Sequence, residues 1–425
     1  MVRLGVLLLL LCVFSHAERV NYSGYQVWHV KAQDDVRLDD VFESLQVCIK
    51  GGRDYVDVWR RPLPTSPVYH VMIPGRLIEH VTQLLRHMNV TYDVWIDDVQ
   101  RLISDDTMKG RLRHRRNPRV FRFNEYHKYD EILGWMEKFA RVNSDLVSLF
   151  QVGSTYEGRR IMAMKIGVPG GNKQVIWQDS LIHAREWISG ATLLWLSHKL
   201  VRNYRQHEAD VTSLLRRFDW IVLPVWNVDG YIYSWTKDRL WRKSRTNVGP
   251  FGCKGVDLNR NFYTPNRGAG ISSDYTCSGV YQGNSPFSEP ESSSVSRYLS
   301  TLNLAAFISI HSYAQYWLYP YGYKSTSSED NEDLKRVALE AVAAIKRTHG
   351  KEYKQGRVID LAYEVAGGSV DWAHQSLCVK YSYGVELRDR GKHGFILPRR
   401  YIVPTAEEYF EAVKVVARHI ARNET

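Results

Sequence analysis

Ala305-Ala306-Phe307-Ile308-Ser309-Ile310-His311 is an apolar run, interrupted by one serine and closed by a histidine. Its length suits a strand, and its lack of a polar face suits one that is covered on both sides. Three more runs read the same way, at Val175 to Trp177, Trp220 to Val225 and Lys380 to Val385, while Ile188 to Tyr204 and Leu334 to Arg347 have helical spacing. Strands alternating with helices over this length imply an α/β domain, a mixed, mostly parallel sheet with helices on both faces. Residues just beyond such strands stand at the carboxyl edge of the sheet, the usual place for a site in open α/β folds. No internal repeat or low-complexity tract interrupts the pattern.

Toward the amino terminus the pattern changes. Tyr25 to Val30 and Tyr55 to Trp59 alternate as strands do, Leu38 to Cys48 has helical spacing, and Val68 to Ile73 and Tyr92 to Ile96 bracket a second helical stretch from Leu77 to Met88. Strand, helix, strand, strand, helix, strand is the ferredoxin-like order, so a small α+β domain is expected at residues 18–98. A polar helix from Val99 then runs into Arg111, Arg113, Arg115, Arg116, Arg119 and Arg122, with no acid among them, and Pro118 forces Asn117 out of helical geometry. Residues 99–116 therefore read as a connecting helix and a basic linker, open to a trypsin-like protease after Arg115 or Arg116. The larger domain is expected over residues 117–425.

With 44% hydrophobic and 12% aromatic side chains, the 425 residues can bury a large core and a second, smaller one. Arg3, the apolar run Leu4 to Phe14 and the small residues Ser15 and Ala17 have the layout of a cleavable secretory signal at residues 1–17. That run is too short to span a bilayer and no later run is long enough, so the processed chain is expected outside the cell with no membrane anchor. Four cysteines remain once Cys12 leaves, and three pairings are open to them. Cys253 and Cys277, which enclose a Gly- and Ser-rich segment, are chosen for a disulfide, and Cys48 and Cys378 for buried thiols. Asn21, Asn89 and Asn423 each open an Asn-x-Ser/Thr triplet and are candidate glycosylation sites. The net charge of +11 admits a nucleic acid or a heparin-like matrix as partner, but arginines clustered in a linker favour a cut site, and no nucleic acid is expected.

His183-Ala184-Arg185-Glu186 comes after the strand at Val175 and precedes the helix at Ile188, so His183 and Glu186 can turn to one point from a short loop. The spacing alone is a weak signal. His311, at the carboxyl end of its strand, adds a third donor, and two histidines with a glutamate and water form an established catalytic zinc set. Glu386 ends the strand Lys380 to Val385 and brings a carboxylate to the same edge; the alternative is an ion pair with Arg388 or Lys392. As general base it would take a proton from a zinc-bound water, whose pKa the metal lowers to about 7. Arg185, Arg242 and Arg260 offer guanidinium groups, which grip a carboxylate with two parallel hydrogen bonds, as an exopeptidase needs at the closed end of its cleft.

Together and in this order, these segments resemble the A/B-type metallocarboxypeptidases, the pancreatic-type digestive family, from the small domain to Phe395 and beyond. The resemblance implies one zinc per chain on His183, Glu186 and His311, with Asp257 orienting His183. It implies that Asn259, Arg260 and Tyr363 hold the substrate's terminal carboxylate, that Arg242 stabilises the oxyanion, and that Glu386 serves as base and then acid. Arg185 and Tyr313 match positions lining the cleft toward the upstream peptide. Val370 stands where the family carries an acid in enzymes that take Lys or Arg ends, which implies apolar ends here. Gly322 and Gly384 are expected to leave pocket volume, which points to Phe, Tyr or Trp. One residue more than usual separates Asp371 from Glu386, around Ser376 to Cys378. The small domain resembles the activation domain that covers the cleft of the zymogen, an inhibitor within the same chain. The expected product is a secreted, monomeric exopeptidase acting on peptide and protein carboxyl ends. Two other outcomes are kept, a secreted homologue that binds zinc and peptide tails without activity, and an enzyme for Lys or Arg ends.

Overall fold

The computed structural model describes residues 19–31, 38–45, 56–62, 66–104, 120–249 and 252–423. The signal, Cys48, Arg115 and Arg116 lie outside these residues. Four strands make the smaller sheet: β1 (Gln26–Lys31), β2 (Asp57–Arg60), β3 (Val68–Ile73) and β4 (Tyr92–Ile96), ordered β2-β3-β1-β4 with every neighbour antiparallel. Helices Leu38–Ser44 and Ile78–His87 fall between them in the ferredoxin-like order. Side chains alternate along a strand, which gives this sheet two different faces. Trp28, Val30, Val71 and Ile73 meet Phe42, Val81 and Leu85 on one of them. Val27, Trp59 and Met72 cluster on the other with Leu240, Tyr313, Phe395 and Ile396 of the larger domain.

The larger sheet holds β5 (Val147–Ser154), β6 (Arg160–Ile166), β7 (Gln174–Ser180), β8 (Phe218–Leu223), β9 (Leu304–Ser312), β10 (Tyr316–Tyr319), β11 (Lys354–Arg357) and β12 (Tyr381–Leu387), ordered β11-β10-β12-β9-β7-β8-β6-β5. Its centre, β12-β9-β7-β8, is parallel, and antiparallel pairs flank it. β9 is buried on both faces from Ala305 to Ser312, as its unbroken apolar run requires. Helices Trp187–Arg205 and Asn331–His349 both pack against Ile402–Asn423. Helix Asn331–His349 starts with Glu332 and Asp333 and ends in Lys346, Arg347 and His349 before Gly350 at φ 67°, charges and cap that suit its dipole. No helix among the described residues is long and apolar enough to cross a membrane.

Three details differ from the sequence expectation. β8 stops at Leu223 because Pro224 has no N–H to give the ladder. β12 begins at Tyr381, after Lys380, whose ammonium reaches out to Asp333 at 2.8 Å, and Glu386 lies inside the strand. Cys378 is exposed rather than buried: the helix Ser369–Ser376 has ended, and φ 55° at Cys378 turns the chain at the surface. Cys253 and Cys277 are joined as a disulfide with Cα atoms 5.1 Å apart.

The two domains meet through polar contacts as well as the shared apolar cluster. The Tyr22 hydroxyl donates to Asp238 at 2.5 Å, the Val20 N–H to the Lys237 carbonyl at 2.7 Å, and the Trp95 indole to the Gly391 carbonyl at 2.9 Å. Trp59 lies edge-on to Tyr313 and Phe395. The His29 ring stacks between His70 at 4.1 Å and Trp95 at 4.2 Å, and His70 Nδ1 is 3.0 Å from the Tyr313 hydroxyl.

Candidate metal centre and active site

Neighbouring parallel strands end at the same edge, so the loop after β7 and the last residues of β9 and β12 must come together. His311 is paired in register with Glu386. β7 ends at Ser180, His183 stands in the loop beyond it, and Glu186 stands at the N-cap of Trp187–Arg205. His183 Nδ1 is 2.8 Å from Glu186 Oε1, His311 Nδ1 is 3.1 Å from Glu186 Oε2, and the two Nδ1 atoms are 3.2 Å apart. All three residues are buried, and their donor atoms could hold one metal ion.

The outer ring nitrogens are occupied. His183 Nε2 is 3.1 Å from Asp257 Oδ1, while Arg242 donates to Asp257 Oδ2 through Nε at 3.0 Å and Nη2 at 2.8 Å. His311 Nε2 is 3.2 Å from Ser309 Oγ, Ser309 donates to Asp179 Oδ1 at 2.7 Å, and the Trp177 indole donates to Asp179 Oδ2 at 2.8 Å. With ring protons on the Nε2 side, two Nδ1 lone pairs and a carboxylate converge on one buried point, a donor set that suits zinc. Burial raises the Glu186 carboxyl, but His183 and His311 outweigh it and hold it below the usual range. Burial and then Arg242 push His183 down, toward the neutral imidazole a metal requires, whereas at His311 burial is outweighed by Glu186, Glu386 and Asp179, which raise it. Burial opposes ionisation of Asp257 too, but Arg242, Arg260 and His183 keep its carboxyl well below the usual range.

Glu386 has one buried oxygen without a hydrogen-bond partner. Burial raises its pKa to about 7, with Glu186 adding to the shift and His311 and Arg242 opposing it. Arg388, the alternative partner, instead makes paired bonds to Glu408. Glu386, Arg242, Asn259, Arg260 and Tyr363 face one cavity of about 140 Å³, whose apolar side includes Leu318, Val358, Leu361, Val365, Val370 and Gly384. Asn259 Oδ1 accepts from the Ser369 N–H at 2.9 Å, and Arg260 is steadied by the carbonyls of Ile271 and Asn259, both at 2.9 Å. Asp371 turns one oxygen to the N–H groups of Gly322 at 2.8 Å and Tyr323 at 3.2 Å, and burial raises it to about 7.

A Cβ on Gly384 would lie 3.5 Å from Val370, ordinary contact that leaves room in the cavity. Gly322 does not add room as expected: a Cβ there would come within 2.8 Å of Val365 and 2.9 Å of Val358, whose methyl groups already fill the place. Arg185 and Tyr313 are engaged by the small domain, Arg185 with Asp57 at 2.6 Å and Tyr313 with His70. Asp179, Ser309 and Trp59 were not singled out from the sequence. For Ser309 a signal existed, since it breaks an apolar run two residues before His311 and so shares its strand face.

Residues 132–412 match the family described as zinc carboxypeptidase. The chain belongs to that family. Residues 40–106 of this zinc carboxypeptidase match the carboxypeptidase activation peptide. Carboxypeptidase A2 of Mus musculus is 39% identical over 367 residues, 86% of this chain and 87% of that protein. Carboxypeptidase A1 of Mus musculus is 36% identical over 426 residues, 100% of each. Among solved structures, that of thrombin activatable fibrinolysis inhibitor superposes with a TM-score of 0.83 at 34% identity, covering 94% of this chain and 99% of that one. Carboxypeptidase A from Helicoverpa armigera gives 0.84 at 29% identity, covering 94% and 98%. The protein is thus a zinc-dependent metallocarboxypeptidase that carries its own activation domain.

Proposed function

We propose that this zinc carboxypeptidase is a secreted zymogen which, once cut after Arg115 or Arg116 by a trypsin-like protease, acts as a monomer and removes apolar or aromatic residues from peptide carboxyl ends. The specificity rests on the cavity lining: Leu318, Val358, Leu361, Val365 and Val370 offer no partner to an ammonium, and Asp371 spends one oxygen on backbone N–H groups. Burial raises the Asp371 carboxyl to about 7, which weakens the charge its unpartnered Oδ1 could offer. Burying an unpaired lysine there would cost several kcal/mol, which argues against Lys and Arg ends.

Zinc on His183, Glu186 and His311 supplies a Lewis acid and an acidified water. Glu386 takes the proton of the attacking water with its unpartnered oxygen and returns it to the leaving amine. Arg242, its charge steadied by Asp257, balances the oxyanion. Asn259, Arg260 and Tyr363 hold the terminal carboxylate and so fix the cut at the last peptide bond. An unpartnered Glu386 beside the donor set favours an active enzyme over a silent peptide-binding homologue. Secretion is supported by the Cys253–Cys277 disulfide and by the run Leu4 to Phe14, and exposed Asn21, Asn89 and Asn423 are proposed glycan acceptors.

Trypsin-treated protein should release Phe from blocked Gly-Phe faster than Lys from blocked Gly-Lys, and a chelator should stop both. Faster turnover of Gly-Lys would overturn the pocket assignment, and turnover that survives the chelator would overturn the mechanism.

A further inference from the structure

We infer that Ser309 and Asp179 are positioning residues that fix the ring tautomer of His311 and so present Nδ1 to the metal; this rests on His311 being a zinc ligand. A serine hydroxyl has one hydrogen. Burial raises the Asp179 carboxyl to about 7, while the bonds from Ser309 and Trp177 favour its ionised form. With Asp179 ionised, Ser309 gives its hydrogen to Asp179 Oδ1 at 2.7 Å, so its contact with His311 Nε2 at 3.2 Å leaves the serine oxygen only the role of acceptor. The ring proton therefore sits on Nε2, and the Nδ1 lone pair faces Glu186 and His183. Asp179 cannot swing away, because the Trp177 indole holds its other oxygen at 2.8 Å. Trp177, Asp179 and Ser309 are fully buried, so water does not compete for these bonds.

The arrangement parallels Asp257 on His183, with one difference that gives it a distinct chemistry. Asp257 meets its histidine directly, whereas Asp179 acts through a hydroxyl whose direction can be reversed. In Asp179→Asn the amide oxygen would keep the Trp177 bond and the amide nitrogen would donate to Ser309. The serine oxygen would then accept from the amide and turn its own hydrogen toward His311 Nε2, the acceptor left within reach, which favours the ring proton on Nδ1, the atom the metal needs. A substitution with almost no change of shape should thus be as damaging as loss of the hydroxyl.

The test measures zinc affinity of the full-length chain by competition with a chromogenic chelator, for the wild type, Ser309→Ala, Ser309→Thr, Asp179→Asn and His311→Ala. Ser309→Ala and Asp179→Asn should bind zinc about 10- to 100-fold more weakly, the usual effect of losing a group behind a metal-bound histidine, and Ser309→Thr should stay near the wild type. Nitrogen-15 spectra of the histidines with zinc stripped, taken at a pH high enough to leave His311 neutral because burial, which lowers its pKa, is outweighed by Glu186, should show His311 protonated on Nε2 in the wild type and on Nδ1 in Asp179→Asn. Unchanged zinc affinity in both Ser309→Ala and Asp179→Asn would overturn the inference, as would an equal loss of thermal stability in excess chelator, which marks a general packing role. Wild-type affinity in His311→Ala would instead overturn the ligand assignment beneath it.

Discussion

Glu386 and His311 face each other across one pair of strands, and the chemistry expected of them separates cleanly. Glu386→Gln should leave zinc affinity unchanged while lowering kcat by about 10²- to 10⁴-fold, read by chelator competition and by hydrolysis of blocked Gly-Phe. Undiminished turnover would remove Glu386 from the reaction. The two pocket glycines should also behave differently. Gly384→Ala should fold normally and shift kcat/KM from Trp toward Leu, because its methyl meets Val370 at an ordinary 3.5 Å and takes volume from the cavity. Gly322→Ala should cost about 1–3 kcal/mol of stability, measured by urea unfolding, because Val358 and Val365 must move aside. The meeting of His183, Glu186, His311 and Glu386 was legible in the sequence because each carries a donor and each lies near the carboxyl edge of the sheet, in the last residues of a strand or in the loop that follows one. Asp179 and Ser309 were not, since neither offers a ligand and both sit inside runs that already made sense as buried strand. Gly322 was misread for a related reason: a missing side chain shows where room could be, and only the neighbours decide whether it has been taken.

At the scale of elements, period and punctuation located every strand named from the sequence, and their ends moved by a few residues where a proline or a surface lysine intervened. The chosen disulfide formed because Cys253 and Cys277 end 5.1 Å apart, a distance no spacing could reveal. Replacing both by serine should cost roughly 3 kcal/mol in the chain-entropy account, visible as a lower urea midpoint with little change in kcat. The helix Pro290–Leu299 contains a buried acid, Glu291, that burial raises to about 7 although the Tyr156 N–H holds one of its oxygens. A raised carboxyl favours the folded state most below its unfolded pKa, and that benefit disappears as pH climbs through 7. Glu291→Gln should therefore gain stability relative to the wild type between pH 5 and 8, approaching roughly 3 kcal/mol at the upper end. A parallel pair of stability curves across that range would remove Glu291 as the cause.

For the whole molecule, the informative feature is how one domain sits on the other. His70 is pushed down to about 2, first by burial and then by Arg60 and His29, while burial and Arg60 also lower His29, with Asp93 opposing. Gly391 gives the His70 ring its place, since a Cβ there would lie 2.5 Å from it. A histidine whose pKa is depressed only in the docked state favours docking above its free pKa near 6.5 and weakens it as pH falls below that, by up to about tenfold per pH unit. After the linker is cut, less of the small domain should co-elute with the large one at pH 5.5 than at pH 7.5, and His70→Gln should flatten the difference. Equal retention at both values would exclude the pair as a proton sensor.

The Asp57–Arg185 bond and the Trp59 contact have one more outcome. Nothing covalent among the described residues ties the small domain to the cleft, and nothing in those contacts depends on the linker being whole. Cutting the linker and freeing the cleft should then be separable: nicked protein held concentrated should hydrolyse blocked Gly-Phe more slowly per molecule than the same protein diluted, and equal rates would show that these contacts do not outlast the cut.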